Sequence, residues 1–366
     1  SECIRLPMPA ARMTMFMVSP VKTAVQQRIQ INTQLPSVRP LDRTVGRADR
    51  LAAAPLRGGC NGGSIPGVAA TGPTRAWPAR AWSTLLLFGV MVVFSTGCSM
   101  VKLGYENLPT LAVWEIGGAL DLDSAQKRIV ERQAGQLREW HRRAQLPAYV
   151  QFMAEVEGSL ETSVSTAQVT EWRERLLASW RPLAERLAPA VAELGVTLSP
   201  AQVRRLEREF ETRNRKVIDE FRIDAPAAVR EKARRERFEK RAESLLGYLT
   251  DEQRDLIRSS ASDASDETAW WTLRTARQQL LVTLLDRLAR EKPAPAPAAA
   301  MALETLNNVY WAVTGDTRTA IERRAAKADS LAAGVLQRSS VAQRRTFVRT
   351  LRGYAEDFAT LAARAE

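Results

Sequence analysis

Leu198–Ser199–Pro200–Ala201–Gln202 precedes a stripe of apolar residues, Val203, Leu206, Phe210, Val217 and Phe221, spaced three, four or seven apart. That spacing is the period of a helix with one buried face. The five residues before it are a helix start. A Ser hydroxyl at the cap accepts an orphan N–H of the first turn, and a Gln three residues later reaches back to the cap's own N–H. Pro200 stands at the first helical position, where a missing N–H costs nothing. Leu198, before the cap, is placed to act as a hydrophobic staple.

The pattern recurs. Leu122–Asp123–Ser124–Ala125–Gln126, Val164–Ser165–Thr166–Ala167–Gln168 and Leu249–Thr250–Asp251–Glu252–Gln253 repeat it, and Ser340–Val341–Ala342–Gln343 repeats it without the leading apolar residue. Other stripes lie between the boxes: Val229, Ala233, Ala242, Leu245 and Leu249, then Trp270, Leu273, Leu280, Leu284 and Leu288. Phe347, Leu351, Tyr354, Phe358 and Leu361 form the last. Gly195 and Gly247 precede the next box as helix-terminating glycines should, and Gly315 ends the segment after Leu303 and Leu306. The three prolines of 291–299 predict a stiff extended break near 292–299. No alternating run argues for a sheet. The sequence therefore predicts an all-α fold of antiparallel amphipathic helices in an extended or bundle-like array, behind a disordered N-terminal leader.

Upstream, the chain changes character. Residues 1–67 have no sustained period and are scattered with Pro, Gly and Arg; they read as a miscalled or disordered extension. Residues 68–97 then carry Arg75 and Arg80, an apolar run from Leu85 to Phe94, and the small residues Ser95–Thr96–Gly97 before Cys98. That order is a signal peptide. The sixteen residues Ala81–Thr96 would span about 24 Å as a helix, short of the roughly 30 Å hydrocarbon core. A single tilted transmembrane anchor is the alternative. The segment 98–110 reads as a tether and 111–366 as the helical domain. At its start, 110–120 reads as an apolar core helix carrying Leu111, Val113, Trp114 and Ile116, with a short helix lying near the membrane as the alternative.

Composition narrows the function. There are 53 Lys and Arg against 41 Asp and Glu; eleven and three of them precede Cys98, leaving 42 against 38 beyond it. The basic excess belongs mostly to the leader and does not argue for nucleic acid. Cys3 and Cys60 also precede the cut, so no disulfide is available to the domain. His141 has no second His to work with and reads as an ordinary surface residue on a helix. There is no phosphate-cradling glycine loop. Arg–Glu runs such as 230–241 read as solvated, ion-paired faces, with contact to anionic lipid or polymer as the alternative. Trp270 and Trp271 point about 100° apart on a helix, which predicts a broadly buried segment, with one Trp lining a groove as the alternative.

Three resemblances bear on function. Ser95–Thr96–Gly97–Cys98 resembles the bacterial lipobox, with Ser95 where Leu is usual. The resemblance implies that Cys98 is the first mature residue, thioether-linked to diacylglycerol and N-acylated, and that Ser99 directs the protein to the outer membrane. The lipobox, the segment around Trp114, the box 122–126 and the helix after Ser340 together resemble an uncharacterised proteobacterial lipoprotein family defined as a domain of unknown function. Leu249–Thr250–Asp251–Glu252–Gln253 is similar to the Leu–Thr–x–x–Gln motif of periplasmic helical stress chaperones. The expected protein is a non-enzymatic envelope lipoprotein on the periplasmic face of the outer membrane. It has a membrane anchor through lipid, an envelope protein partner, no cofactor, no metal and no nucleic acid. A chaperone-like cradle is the alternative, and a hydrolase of envelope polymers lies further off.

Overall fold

The computed structural model describes residues 100–262, 268–310 and 312–364. Ser95, Thr96, Gly97, Cys98 and the leader lie outside the described residues. Among the described residues every regular element is a helix. In chain order these are α1 (Met100–Glu106), α2 (Leu108–Leu120), α3 (Ser124–Ala144), α4 (Leu146–Ser159), α5 (Thr166–Ala178), α6 (Trp180–Gly195) and α7 (Pro200–Phe221). They continue as α8 (Ala227–Leu246), α9 (Asp251–Ser262), α10 (Ala269–Glu291), α11 (Pro295–Val309), α12 (Gly315–Gln337) and α13 (Val341–Ala362). The fold is all-α, packed as a bundle-like array.

The boxes start helices. Asp123, Ser165, Ser199 and Ser340 are N-caps of α3, α5, α7 and α13, each with a reciprocal bond to the Gln three residues on. At α9, Gln253 N–H donates to Thr250 Oγ1 (3.3 Å) and Thr250 N–H to Gln253 Oε1 (2.9 Å). The leading apolar residues Leu122, Val164, Leu198 and Leu249 are all buried.

The glutamines also join the boxes in pairs. Gln126 Nε2 donates to Thr197 O at 2.9 Å, Gln202 Nε2 to Asp121 O at 3.2 Å, and the two side-chain amides bond each other. Gln253 and Gln343 repeat this at the other box pair: Gln253 Nε2 donates to Val335 O (3.0 Å) and Gln343 Nε2 to Tyr248 O (2.7 Å). Their amides are again paired, and both side chains are wholly buried. The N-termini of α3 and α7 are locked together this way, and so are those of α9 and α13. Gln168 caps α5 without such a partner.

The core follows the stripes. Leu122, Val130, Val203, Leu206, Val282 and Leu285 join α3, α7 and α10. Ala184, Ala188, Ala192, Leu288, Ala298 and Ala302 let α6 and α11 pack closely against α10. Leu246, Ile257, Leu331 and Val335 do the same for α8, α9 and α12.

Several expectations are corrected. The 292–299 break is short: α11 begins at Pro295, because Pro295 and Pro297 occupy first-turn positions whose N–H groups have no helical partner anyway. Gly247 does close α8 with φ +86°. Gly195 is not in the left-handed region; a Cβ there would sit 2.6 Å from Leu288 Cδ1, so it is a glycine of close approach. Gly315 opens α12 rather than ending a helix. Three helices end at non-glycine residues with positive φ, Asp121, Arg222 and Lys292, which is why those stops carry no glycine. Val229 and Tyr354 face solvent, at 45% and 42% exposure, because α8 and α13 bury narrower faces than their stripes imply.

The described part of the expected tether is helical, as α1 and the start of α2. Tyr105 is buried against Leu146, Phe358 and Leu361, and Lys102 Nζ pairs with Asp357 at 3.0 Å. His141, expected on the surface, is 8% exposed. Its Nδ1 lies 2.9 Å from the Tyr105 hydroxyl, and the Tyr149 ring packs against it. Beside it Arg142 is buried between Glu106 (2.5 Å) and Glu139 (3.0 Å). Arg234, expected on a solvated face, is buried and donates to Ala261 O through Nε (2.8 Å), tying α8 to α9. Trp270 and Trp271 are both half-buried, their rings edge to face at 5.9 Å.

Candidate functional site

The sequence of α2 places apolar residues nearly all the way round. Two faces are used: Leu108, Ala119 and Leu120 are buried, while Val113 and Ile116 pack against the core shared by α3 and α7. A third face is left over. It forms one wall of a groove of about 580 Å³, whose floor is α3 and whose other wall is α6. Leu111 and Trp114 come from α2, Ile129 and Leu137 from α3, and Leu187 and Ala190 from α6. Trp114 stands at 59% exposure. Pro189, inside α6, also lines the groove; it has no N–H to give to the Glu185 carbonyl one turn back. The volume falls in the roughly 300–1,000 Å³ range of small-molecule sites, which are likewise mostly apolar.

One end of the groove is basic. A second, more open cavity adjoins it, lined by Arg132, Arg143 and Arg186, and the two share Gln136, Trp140 and Arg186. The Arg186 guanidinium lies over the Trp140 ring, 5.7 Å from its centroid, so the cation is held at the junction. The carboxylates around the cavities are paired to arginines outside the lining. Glu115 bonds Arg213, Glu185 lies 3.4 Å from Arg181, and Glu139 is 3.0 Å from both Arg138 and Arg142. Arg132 is itself ion-paired with Glu193.

The buried titratable side chains described next lie away from the groove lining. His141 lies outside both linings. Burial holds it down to about 4, so it is neutral at pH 7. Burial also raises Tyr105 beyond the usual phenol range. Asp329, wholly buried, accepts from Arg173 Nε (2.9 Å) and Thr170 Oγ1 (2.9 Å), a structural pair between α5 and α12. Among the described residues no three His, Cys, Asp or Glu side chains converge as metal ligands would. No helix among them is long and apolar enough to cross a membrane.

The capping residues Asp123, Gln126, Ser165, Gln168, Ser199, Gln202, Thr250, Gln253, Ser340 and Gln343 sit at helix starts, and none lines the groove. Sequence reading placed α2 in the core and did not find the groove. The available signal was the breadth of its apolar surface, more than one buried face requires.

Among the described residues, fold and site are an array of helices with an apolar groove and a basic mouth. The chain belongs to a family of unknown function (DUF6279), whose model matches residues 118–312. That span runs from the end of α2 through α11 and includes two of the groove's three sides. No curated protein and no solved structure matches the chain.

Proposed function

We infer that this is a lipid-anchored envelope protein of bacteria that works by binding, without catalysis, from the periplasmic face of the outer membrane. The observation that carries the binding reading is the groove between α2, α3 and α6: it is apolar, it is of ligand size, and its carboxylates are committed to ion pairs. The anchor rests on the run from Arg75 to Cys98 in the sequence, with Cys98 acylated and Ser99 directing export. The first described helix starts at Met100, two residues past Cys98, so acyl chains there would hold α1 against the bilayer.

Metabolic labelling with an alkyne fatty acid, read on denaturing gels, tests the anchor. The full chain is expected to carry label and Cys98→Ser to carry none. Wild type without label, or equal label in both, overturns it. The exposed Trp114 favours a second reading, a chaperone-like cradle for unfolded envelope proteins. Suppression of aggregation of a reduced, unfolded client, lost in Trp114→Glu, would favour the cradle.

A further inference from the structure

Resting on the binding reading, we propose that the groove takes a single-chain anionic amphiphile, a long-chain fatty acid: the chain lies along α3 between α2 and α6, and the carboxylate meets Arg186. Three observations carry this. The groove interior offers aliphatic and indole surface and suits a methylene chain. The basic residues lie at one end, so a ligand with charge at one terminus satisfies both parts at once. The lining carboxylates Glu115, Glu139 and Glu185 are each paired with an arginine outside the lining, so none of them takes up the Arg186 guanidinium at the junction of the two cavities. Arg186 is pre-positioned by its stacking on Trp140, which lowers the ordering cost of meeting a carboxylate. A wholly apolar peptide would leave Arg186 unused, and a nucleic acid would leave the groove unused.

The test uses the full chain in phosphatidylcholine nanodiscs with palmitic acid bearing a mid-chain diazirine. After photolysis, labelled peptides are mapped and half-saturating concentrations read. Label is expected on peptides of α2, α3 and α6. Arg186→Glu should raise the half-saturating concentration about tenfold, the factor one charge-assisted hydrogen bond carries. Unlabelled palmitate should compete at least about fivefold better than hexadecanol, whose head is neutral. Ala134→Trp, which fills the floor, should abolish groove label, and Ala190→Trp on the opposite wall does the same job if the first variant is not helical by circular dichroism. Label spread evenly outside the groove, or unchanged by both tryptophan variants, overturns the proposal. Equal competition by hexadecanol overturns the anionic head. Label absent from wild type but present in Cys98→Ser means that the chain's own acyl groups fill the groove, and overturns a free ligand. Failure of the anchor would show separately, as loss of covalent label at Cys98 with groove labelling intact.

Discussion

Gln253→Glu replaces one residue that capping boxes accept with another, yet it is expected to destabilise the domain by about 3–5 kcal/mol at pH 7. The cap function survives, because a carboxylate oxygen still accepts the Thr250 N–H now bonded to Oε1 at 2.9 Å. The amide nitrogen is what is lost. It donates to Val335 O at 3.0 Å and faces Gln343 Oε1 at 3.4 Å and Ser339 Oγ at 3.5 Å. An ionised oxygen there would confront oxygens in a site that is 0% exposed. Lost hydrogen bonds account for about 1–2 kcal/mol, and the unpaired buried charge supplies the remainder. Gln168→Glu is the control: Gln168 is only half-buried and bonds its cap alone, so the same change should cost less than about 0.5 kcal/mol. The assay is urea unfolding of the full chain followed by circular dichroism, at pH 7 and pH 5. Burial would raise the introduced carboxyl's pKa in the folded state. Its penalty should therefore be smaller at pH 5, where the group is protonated, and should grow as pH rises through the folded value. Equal stability of the two variants, or a Gln253→Glu deficit independent of pH, would refute the argument that paired amides lock the helix starts.

Three further outcomes are expected. Ser199→Ala should lower stability by about 1 kcal/mol in urea melts and Ser199→Gly by less, since Ser199 Oγ accepts the Gln202 N–H at 3.3 Å. Gly195→Ala should destabilise despite alanine's better helix propensity, because its Cβ would meet Leu288 Cδ1 at 2.6 Å; Leu288→Ala in the same chain should relieve part of the added cost, read as coupling in a double-mutant cycle. His141 sits near 6.5 when unfolded and at about 4 when folded, so its contribution is complete above pH 6.5 and is lost as pH falls through 4. The loss is about 3 kcal/mol over that window, and His141→Phe should flatten this part of the pH–stability curve measured by chemical denaturation.

The sequence by itself determined the helices that begin with a box. A capping box is closed within four residues, and a stripe at the helical period needs only one face to bury, so both are written in neighbours along the chain. It did not determine the helix ends at Asp121, Arg222 and Lys292, where left-handed non-glycine residues close the turn and composition gives no sign of it. Tertiary structure alone decided what the glutamine amides do beyond the cap. Gln126 and Gln202, or Gln253 and Gln343, become partners only when loops 76 and 90 residues apart in the chain meet. The same holds for His141 and Arg234. Their polar types predict exposure, but Tyr105 arrives over one and the Ala261 carbonyl beside the other. The groove is the clearest case. In sequence α3 and α6 look like amphipathic helices with one face to bury, and α2 like a core helix. Which apolar face stays uncovered depends on how far α2 and α6 stand apart across α3, and that spacing is set by contacts each makes elsewhere, α2 with α7 and α6 with α11.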